Sequence, residues 1–312
     1  SPSDSHEREA EAAGREATHI SASDLGFVLG PRLNAAGRLE DMTVGIECLL
    51  ASTAEAARSL ASQLDTLNRE RRDIEAQMRD EALELVASNQ AVGVCLFDAG
   101  WHEGVVGLVA SRVKDKLHRP VIAFARAAEA GLLKGSGRSI GGLHLRDALA
   151  AVDARHPGLL TRFGGHAMAA GLTLPEAGLS DFSDAFDAEC RVRLDADALE
   201  EVLETDGELD QSELQLDTAR LLEQAGPWGQ GFPEPRFEGS FEILDIRALG
   251  AEGRHIKYRL RRPGGAQVEA MDFNGAERLV ERGSVRLVYC IGVNRFRGVE
   301  GLEMRIVHLR PE

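Results

Sequence analysis

The longest unbroken pattern in the chain runs from Ala51 to about Ser88, a stretch with neither proline nor glycine. Apolar Ala57, Leu60, Leu64, Leu67, Ile74, Met78, Leu83 and Val86 recur there mainly at steps of three and four, which predicts one long amphipathic helix. Beyond it the period changes repeatedly. AVGVCLF (91–97), VIAF (121–124), LLKGSGRSI (132–140) and AGLTL (170–174) read as strands, while the spacing is helical from about Gly104 to Leu117 and in HLRDALAAVDA (144–154). Strands alternating with helices predict an α/β layered domain over about 91–198. After Phe237 come five short alternating runs, FEILDIRAL, HIKYRLRR, QVEAMDF, SVRLVYCIGV and LEMRIVHL, divided by Gly, Pro and Asn. Five strands in so short a length suit a small antiparallel barrel of the OB type.

Two stretches fit neither pattern. In the segment from Ile20 to Leu50, Gly26, Gly30, Pro31 and Gly37 interrupt any regular element, and the first twenty residues have the look of the frayed edge of something larger. Between the two domains lies an acidic segment with one predicted helix, LQLDTARLLEQA (214–225), followed by the turn-rich GPWGQGFPEPRF. The expected division is therefore 1–50, a long connecting helix over 51–90, an α/β domain over 91–198, an acidic linker over 199–235 and a barrel over 236–312.

Composition changes this picture in one respect. The net charge of −15 argues at first against a polyanionic partner. Residues 174–235, however, hold 17 acidic and 3 basic side chains, and residues 236–312 hold 14 basic and 11 acidic ones, so the acidity is local. Cys48, Cys95, Cys190 and Cys290 form no C-x-x-C pair, which suggests neither a disulfide framework nor a zinc site. No apolar run reaches the roughly 18–20 residues of a membrane span, and no signal-peptide pattern is seen, so the expected location is the cytoplasm.

Several motifs carry candidate chemistry. In FGGHAMAAGLTL (163–174), Gly164 and Gly165 would let the backbone approach a ligand, with His166 opening a helix whose N-terminus favours phosphate; a plain strand–helix turn is the alternative. In KGSGRS (134–139), Ser136 and Arg138 are two apart and would share one strand face, where a hydroxyl and a guanidinium suit a terminal phosphate. A polar edge strand accounts for the same letters. Asn34 and Arg38 would lie one helical turn apart if PRLNAAGRL (31–39) is helical, within reach of a backbone phosphate. His102, in WHEGVVG, stands at an expected helix start and would line a cleft or serve the fold. In the barrel, Lys257, Tyr258, Arg259, Asn294, Phe296 and Arg297 mix charge with aromatic surface, as single-strand-binding barrels do, although Tyr258 and Phe296 would serve equally as core. The arginines of the long helix, Arg69, Arg71, Arg72 and Arg79, alternate with acids and read as a solvated face.

FGGHAMAAG resembles the Gly-Gly-His signature of the DHHA1 domain. GFVLGPRLNAAGRLEDM, WHEGVVGLVASRVKDKLHRPVIAF and LKGSGRSI together resemble the RecJ-type exonucleases, and the likeness runs from about Leu25 to Arg310. The resemblance implies a DHHA1 domain with a mixed sheet, preceded by a connecting helix and followed by an OB-fold barrel. It further implies degradation of single-stranded DNA from 5′ to 3′ in recombination and repair, with Ser136 and Arg138 on the DNA 5′-phosphate. Asn34, Arg38, His102, Gly164, Gly165 and His166 would line the DNA cleft.

The cofactor implied is a pair of manganese or magnesium ions held by an N-terminal DHH domain. This sequence shows no Asp-His-His run and no Asp-x-Asp in an apolar strand, so no catalytic or metal-ligating residue is expected in it and the fragment alone is expected to be inactive. Single-stranded DNA, a single-strand-binding protein and a RecQ-type helicase are the implied partners. Two alternatives stay open: a non-catalytic single-strand-binding scaffold, and a DHHA1 phosphodiesterase acting on short oligonucleotides.

Overall fold

The computed structural model describes residues 25–86, 90–229, 231–250, 253–265, 267–296 and 299–312. Expectations for residues 1–24 and for Arg297 lie outside the described residues, as does the side chain of Phe296. The chain divides into two compact units, Ser1–Glu201 and Val202–Glu312.

The first unit begins with a π-helical turn, Leu25–Leu29, running directly into helix α1, Gly30–Leu39. The glycines and proline expected to interrupt regular structure do not. Pro31 stands in the first turn of α1, directly after the wider π-helical turn. Gly37 is tolerated within α1 because it faces Met42, whose Sδ would lie 3.3 Å from an added Cβ. Helix α2, Thr43–Leu50, follows, and then α3, Ala54–Val86, the long helix foreseen from its periodicity.

Helix α3 serves two cores. Its Ala61, Leu64 and Leu67 pack with Ala35, Ala36 and Cys48 of the two short helices. Its Met78, Ala82 and Val86 pack instead with strand β1, Val94–Phe97, and helix α4, Val106–Leu117. The solvated face expected for its arginines holds for Arg69, which is exposed and pairs with Asp65. It fails for Arg71, which is only 9% exposed because α1 and α4 both pack along this side.

The sheet has the order β1-β2-β3-β5-β4. Its strands are β1, Val94–Phe97; β2, Val121–Arg126; β3, Leu132–Arg138; β4, Arg162–Gly165; and β5, Ala169–Pro175. β1 and β2 are parallel and the other pairs antiparallel, the mixed arrangement expected. Helix α4, Val106–Leu117, covers one face through Val109, Ala110 and Val113. On the other face α5, Leu145–Arg155, and α6, Leu179–Arg193, enclose Phe124, Leu133, Leu172 and Leu174. Residues 121–125 of β2 are buried on both faces, which explains their unbroken apolar run.

Helix α6 had no sequence assignment because acids fill its outer face. Phe182, Phe186 and Cys190 nevertheless form a single inward stripe, and the two rings stack 5.9 Å apart. Full burial of each ring contributes about 1.5–3 kcal/mol.

The helix expected to open at His166 does not form. Gly165 turns with φ +146°, and a Cβ there would lie 2.5 Å from the Ala169 carbonyl oxygen. The His166 N–H donates to that carbonyl at 2.8 Å, closing a β4–β5 hairpin. The period-two burial of Ala170, Leu172 and Leu174 decides for strand over the helical propensity of the alanines.

In the second unit β6, Phe237–Leu249, β7, His255–Arg261, β8, Gln267–Asp272, β9, Gly283–Phe296, and β10, Val299–Pro311, close a barrel. Its neighbour order is β10-β8-β7-β6-β9, with β10 parallel to β8 and every other pair antiparallel. This is the OB-type closure expected from the five runs. Within the segment read as an acidic linker, Leu209 and Ala219 join the barrel core, the latter from helix α7, Leu216–Ala225.

A candidate strand-end site on the sheet

The alternation of β3 turns Lys134, Ser136 and Arg138 to the α4 side and Leu133 into the opposite core. Register carries that face across the sheet. Ser136 lies in one cross-strand row with Gly171 of β5 and Gly164 of β4. Lys134 lies in the next row with Thr173 and Arg162, and Arg138 pairs with Ala169. The Ser-x-Arg and Gly-Gly-His motifs thus meet through β5, which lies between their strands.

Neither Gly164 nor Gly171 is required by packing. A Cβ on Gly164 would meet nothing within 4 Å, and one on Gly171 only a carbonyl oxygen at 3.9 Å. The row leaves a flat, open floor beside the Ser136 hydroxyl.

Arg138 donates to the Ser136 hydroxyl at 3.2 Å and to the Gly137 carbonyl at 2.8 Å. The first turn of α4 covers this pair so closely that a Cβ on Gly107 would lie 2.8 Å from Ser136 Oγ and 3.1 Å from Arg138 Nη2. The positive end of that helix therefore faces the same point. Burial, and then the neighbouring Arg38 cation, lower the pKa of Arg138. Among the described residues neither Arg38 nor Arg138 pairs with a carboxylate. Two cations and a helix N-terminus converging without a counter-ion make a place for an anion.

Arg38 reaches the site from α1, donating to the Gly104 carbonyl at 3.2 Å. Asn34 is exposed one turn earlier on the same helix. His102 is half-buried, and its Nδ1 accepts the Gly104 N–H at 3.1 Å, so it shapes the turn leading to α4. Trp101 beside it is core, its indole N–H donating to Glu81 at 2.8 Å. Gly165 and His166 are exposed at the hairpin turn near the Arg138 end, where the Ser139 N–H donates to the Met168 carbonyl at 3.0 Å.

One cationic element escaped the sequence. Buried Arg71 bonds Glu75 at 2.7 Å and Asn68 at 3.0 Å, while its Nε has no partner among the described residues. Glu75 also accepts from Arg112 of α4 at 2.9 Å, tying the long helix to the one that covers Ser136. Burial dominates the lowering of the Arg71 pKa, with Arg72, Arg38 and Arg112 adding to it. Nothing short of the packing of α1 and α4 would have distinguished Arg71 from its exposed neighbours.

The barrel meets expectation less well. Tyr258 is 0% exposed and its hydroxyl accepts the Val280 N–H at 3.4 Å, so it cannot stack on a base; its inward position on β7 is the reason. Lys257 pairs with Glu269 at 2.7 Å and Arg259 with Asp245 at 3.6 Å, which offsets much of the cationic surface anticipated there. Asn294 is exposed on β9 opposite Gly301. Exposed aromatic surface lies at Phe273, just past β8, which is 51% exposed with its ring 5.6 Å from that of His255, and in the turn-rich segment, where the rings of Trp228 and Phe232 are 4.7 Å apart and Phe232 is 54% exposed. The GPWGQGF letters were the only signal of the latter.

Family models match the chain twice, as a DHHA1 domain over residues 89–191 and as a RecJ OB domain over residues 205–308. The single-stranded-DNA-specific exonuclease RecJ of Dickeya dadantii is 50% identical over 96% of this chain and 54% of its own length. The chain belongs to the RecJ family. A crystal structure of the RecJ of Thermus thermophilus with Mg2+ superposes with a TM-score of 0.80 at 29% identity, covering 99% of this chain and 46% of that one. Its Mn2+ counterpart gives 0.79 at 29% identity, covering 99% and 44%. The chain spans about half the length of the curated RecJ relatives it matches.

Those two RecJ structures carry divalent ions, which would need a cluster of ligating side chains among the described residues to be held here. Among them no three His, Cys, Asp or Glu side chains gather where a metal ion could bind. Nor is any helix among the described residues long and apolar enough to cross a membrane.

Proposed function

We propose that this chain is the strand-gripping part of a 5′-to-3′ single-stranded-DNA exonuclease of recombination and repair, and that it anchors the 5′-terminal phosphate at Ser136 and Arg138. The reading rests above all on one arrangement: an uncompensated guanidinium and a hydroxyl on one strand face, beside two glycines that leave the floor open. A terminal phosphate offers more oxygens than a bridging one, and the fork of Arg138 with the Ser136 hydroxyl suits it. Arg38 adds a second charge, and Asn34 lies where the strand would continue past α1. In the second unit, exposed Asn294 and the exposed ring of Phe232 are further candidates for contact with single strands.

Cleavage belongs to magnesium or manganese ions held outside the described residues, so the role here is to bind the end and fix its register. The full chain is therefore expected to bind single-stranded DNA without degrading it. Replacing Arg138 with Ala tests the reading. Hydrogen bonds to charged groups contribute about 1.5–3 kcal/mol, so binding of 5′-phosphorylated single strands is expected to weaken about tenfold or more, and that of 5′-hydroxyl strands much less. Equal losses on both ends would remove the phosphate from this site.

A further inference from the structure

The row beside Ser136 holds groups that a single terminal phosphate does not use. Lys134, Thr173 and Arg162 lie side by side on three adjacent strands and face the same way as Ser136. Thr173 is only 4% exposed, yet its hydroxyl lies at the floor of this row and accepts from Arg162 Nε at 3.2 Å. That leaves its own proton to donate. Arg162 is exposed, and among the described residues it pairs with no carboxylate. An open depression of about 370 Å³ runs from Ser136 over Gly171 and Gly164 to this row, with Val106 and Glu103 at its rim.

The two ends of the depression differ. On the Arg138 side the first turn of α4 lies over the surface, with the Arg38 cation near it and α1 leading away. On the Lys134 side it continues. Two residues along a strand correspond to roughly 6.6 Å, so the second row lies beyond the reach of one phosphate and within the span of a short polyphosphate.

We propose that Lys134, Thr173 and Arg162 form a second anion position, continuous with the Ser136–Arg138 pocket, that receives the outer phosphates of a 5′-di- or triphosphorylated strand end. The inference rests on the 5′-phosphate reading and extends it. A site of this kind would admit such ends without prior trimming to a monophosphate. Glu103 sets the limit of the site. Its carboxylate holds Lys134 at 3.0 Å, and a polyphosphate would take Lys134 from it. A charge-repelling residue at the rim makes acceptance of extra phosphates depend on Arg162.

The experiment uses the full chain and one single-stranded DNA oligonucleotide bearing a 5′-hydroxyl, a 5′-monophosphate or a 5′-triphosphate, with binding read by fluorescence anisotropy. The wild-type chain is expected to bind the triphosphate end at least as tightly as the monophosphate end. Arg162→Ala should lose about tenfold on the triphosphate end and less than twofold on the monophosphate end, and Arg162→Lys should recover most of that loss. Glu103→Gln should gain affinity for the triphosphate end alone. A wild-type chain that prefers the monophosphate end over the hydroxyl end but treats the triphosphate end like the hydroxyl end overturns this inference and leaves the first reading standing. Equal loss on both phosphorylated ends in Arg162→Ala also overturns it. A wild-type chain with no preference for monophosphate over hydroxyl sinks both.

Discussion

The carbonyl oxygen of Arg38 stands 2.0 Å from the point a Cβ on Gly104 would occupy, while the Arg38 guanidinium donates to the Gly104 carbonyl at 3.2 Å. The end of α1 is thus fastened to the loop before α4 by a contact only glycine allows. Gly104→Ala must push the two apart. Overpacking of this kind costs about 1–3 kcal/mol, and it would carry Arg38 away from Arg138. Urea denaturation should show the loss, and affinity for 5′-phosphorylated single strands should fall with it; an unchanged midpoint and affinity would contradict the contact.

The two members of the buried pair on α3 should respond unequally. Glu75→Gln leaves the Arg71 charge buried without its partner, whereas Arg71→Met removes the charge and keeps the packing. Leaving a buried charge without its partner costs about 3–5 kcal/mol; in Arg71→Met, Glu75 still accepts from Arg112 at 2.9 Å, which keeps that loss smaller. Thermal melts of the two variants should therefore rank Glu75→Gln as the less stable. The reverse order would show that Arg71 does not depend on Glu75.

Glu189 governs part of the acid response. Burial alone would raise its pKa, but hydrogen bonds from Arg193 and Arg155 outweigh that and hold it below the ordinary 4.5. Its side chain is 1% exposed, and both arginines converge on it. As pH falls below about 4.5 the unfolded chain takes up this proton before the folded one, so the contribution is present at neutral pH and is lost on acidification. Glu189→Gln should be less stable than wild type at pH 7, with the gap narrowing as pH drops through that range. Parallel stability curves from pH 7 to pH 3 would remove Glu189 from the acid response.

On the barrel unit, the exposed ring of Phe232 rather than the buried ring of Tyr258 should meet bases. Stacking of a base on an aromatic side chain contributes about 1–3 kcal/mol. Phe232→Ala should then weaken single-strand binding several-fold or more, at similar stability. Tyr258→Phe should leave binding unchanged and lower the melting temperature slightly through the lost contact with Val280. Binding loss in the second variant and none in the first would reverse the assignment.

The parts legible in the sequence were those whose burial follows one clean period. Helix α3 and the five barrel strands have long runs of this kind, and their boundaries came out close to the observed ones. Helix α1 was hidden because Gly30, Pro31 and Gly37 usually interrupt helices, and here each occupies a position that tolerates it. The β4–β5 hairpin was hidden because AMAA favours a helix locally, and only pairing with β3 decides otherwise. Ser136 and Arg138 could be placed on one face from their spacing. Their alignment with Gly164 could not, because the register passes through a strand whose letters name only apolar and small residues. Tyr258 stayed open between core and surface, and Phe232 drew no role, for a related reason: residue type marks an aromatic, and the fold decides which one meets solvent.

The burial of Leu172 and Leu174 has a bearing on residues they never touch. β5 alternates between those leucines and the Gly171 and Thr173 of the ligand-facing side. Sliding β5 by a single residue would drive both leucines toward water and present their bulk where the glycine floor now lies. The hydrophobic core therefore acts as the ruler of this surface, whose alignment is set by side chains on the far side of the sheet.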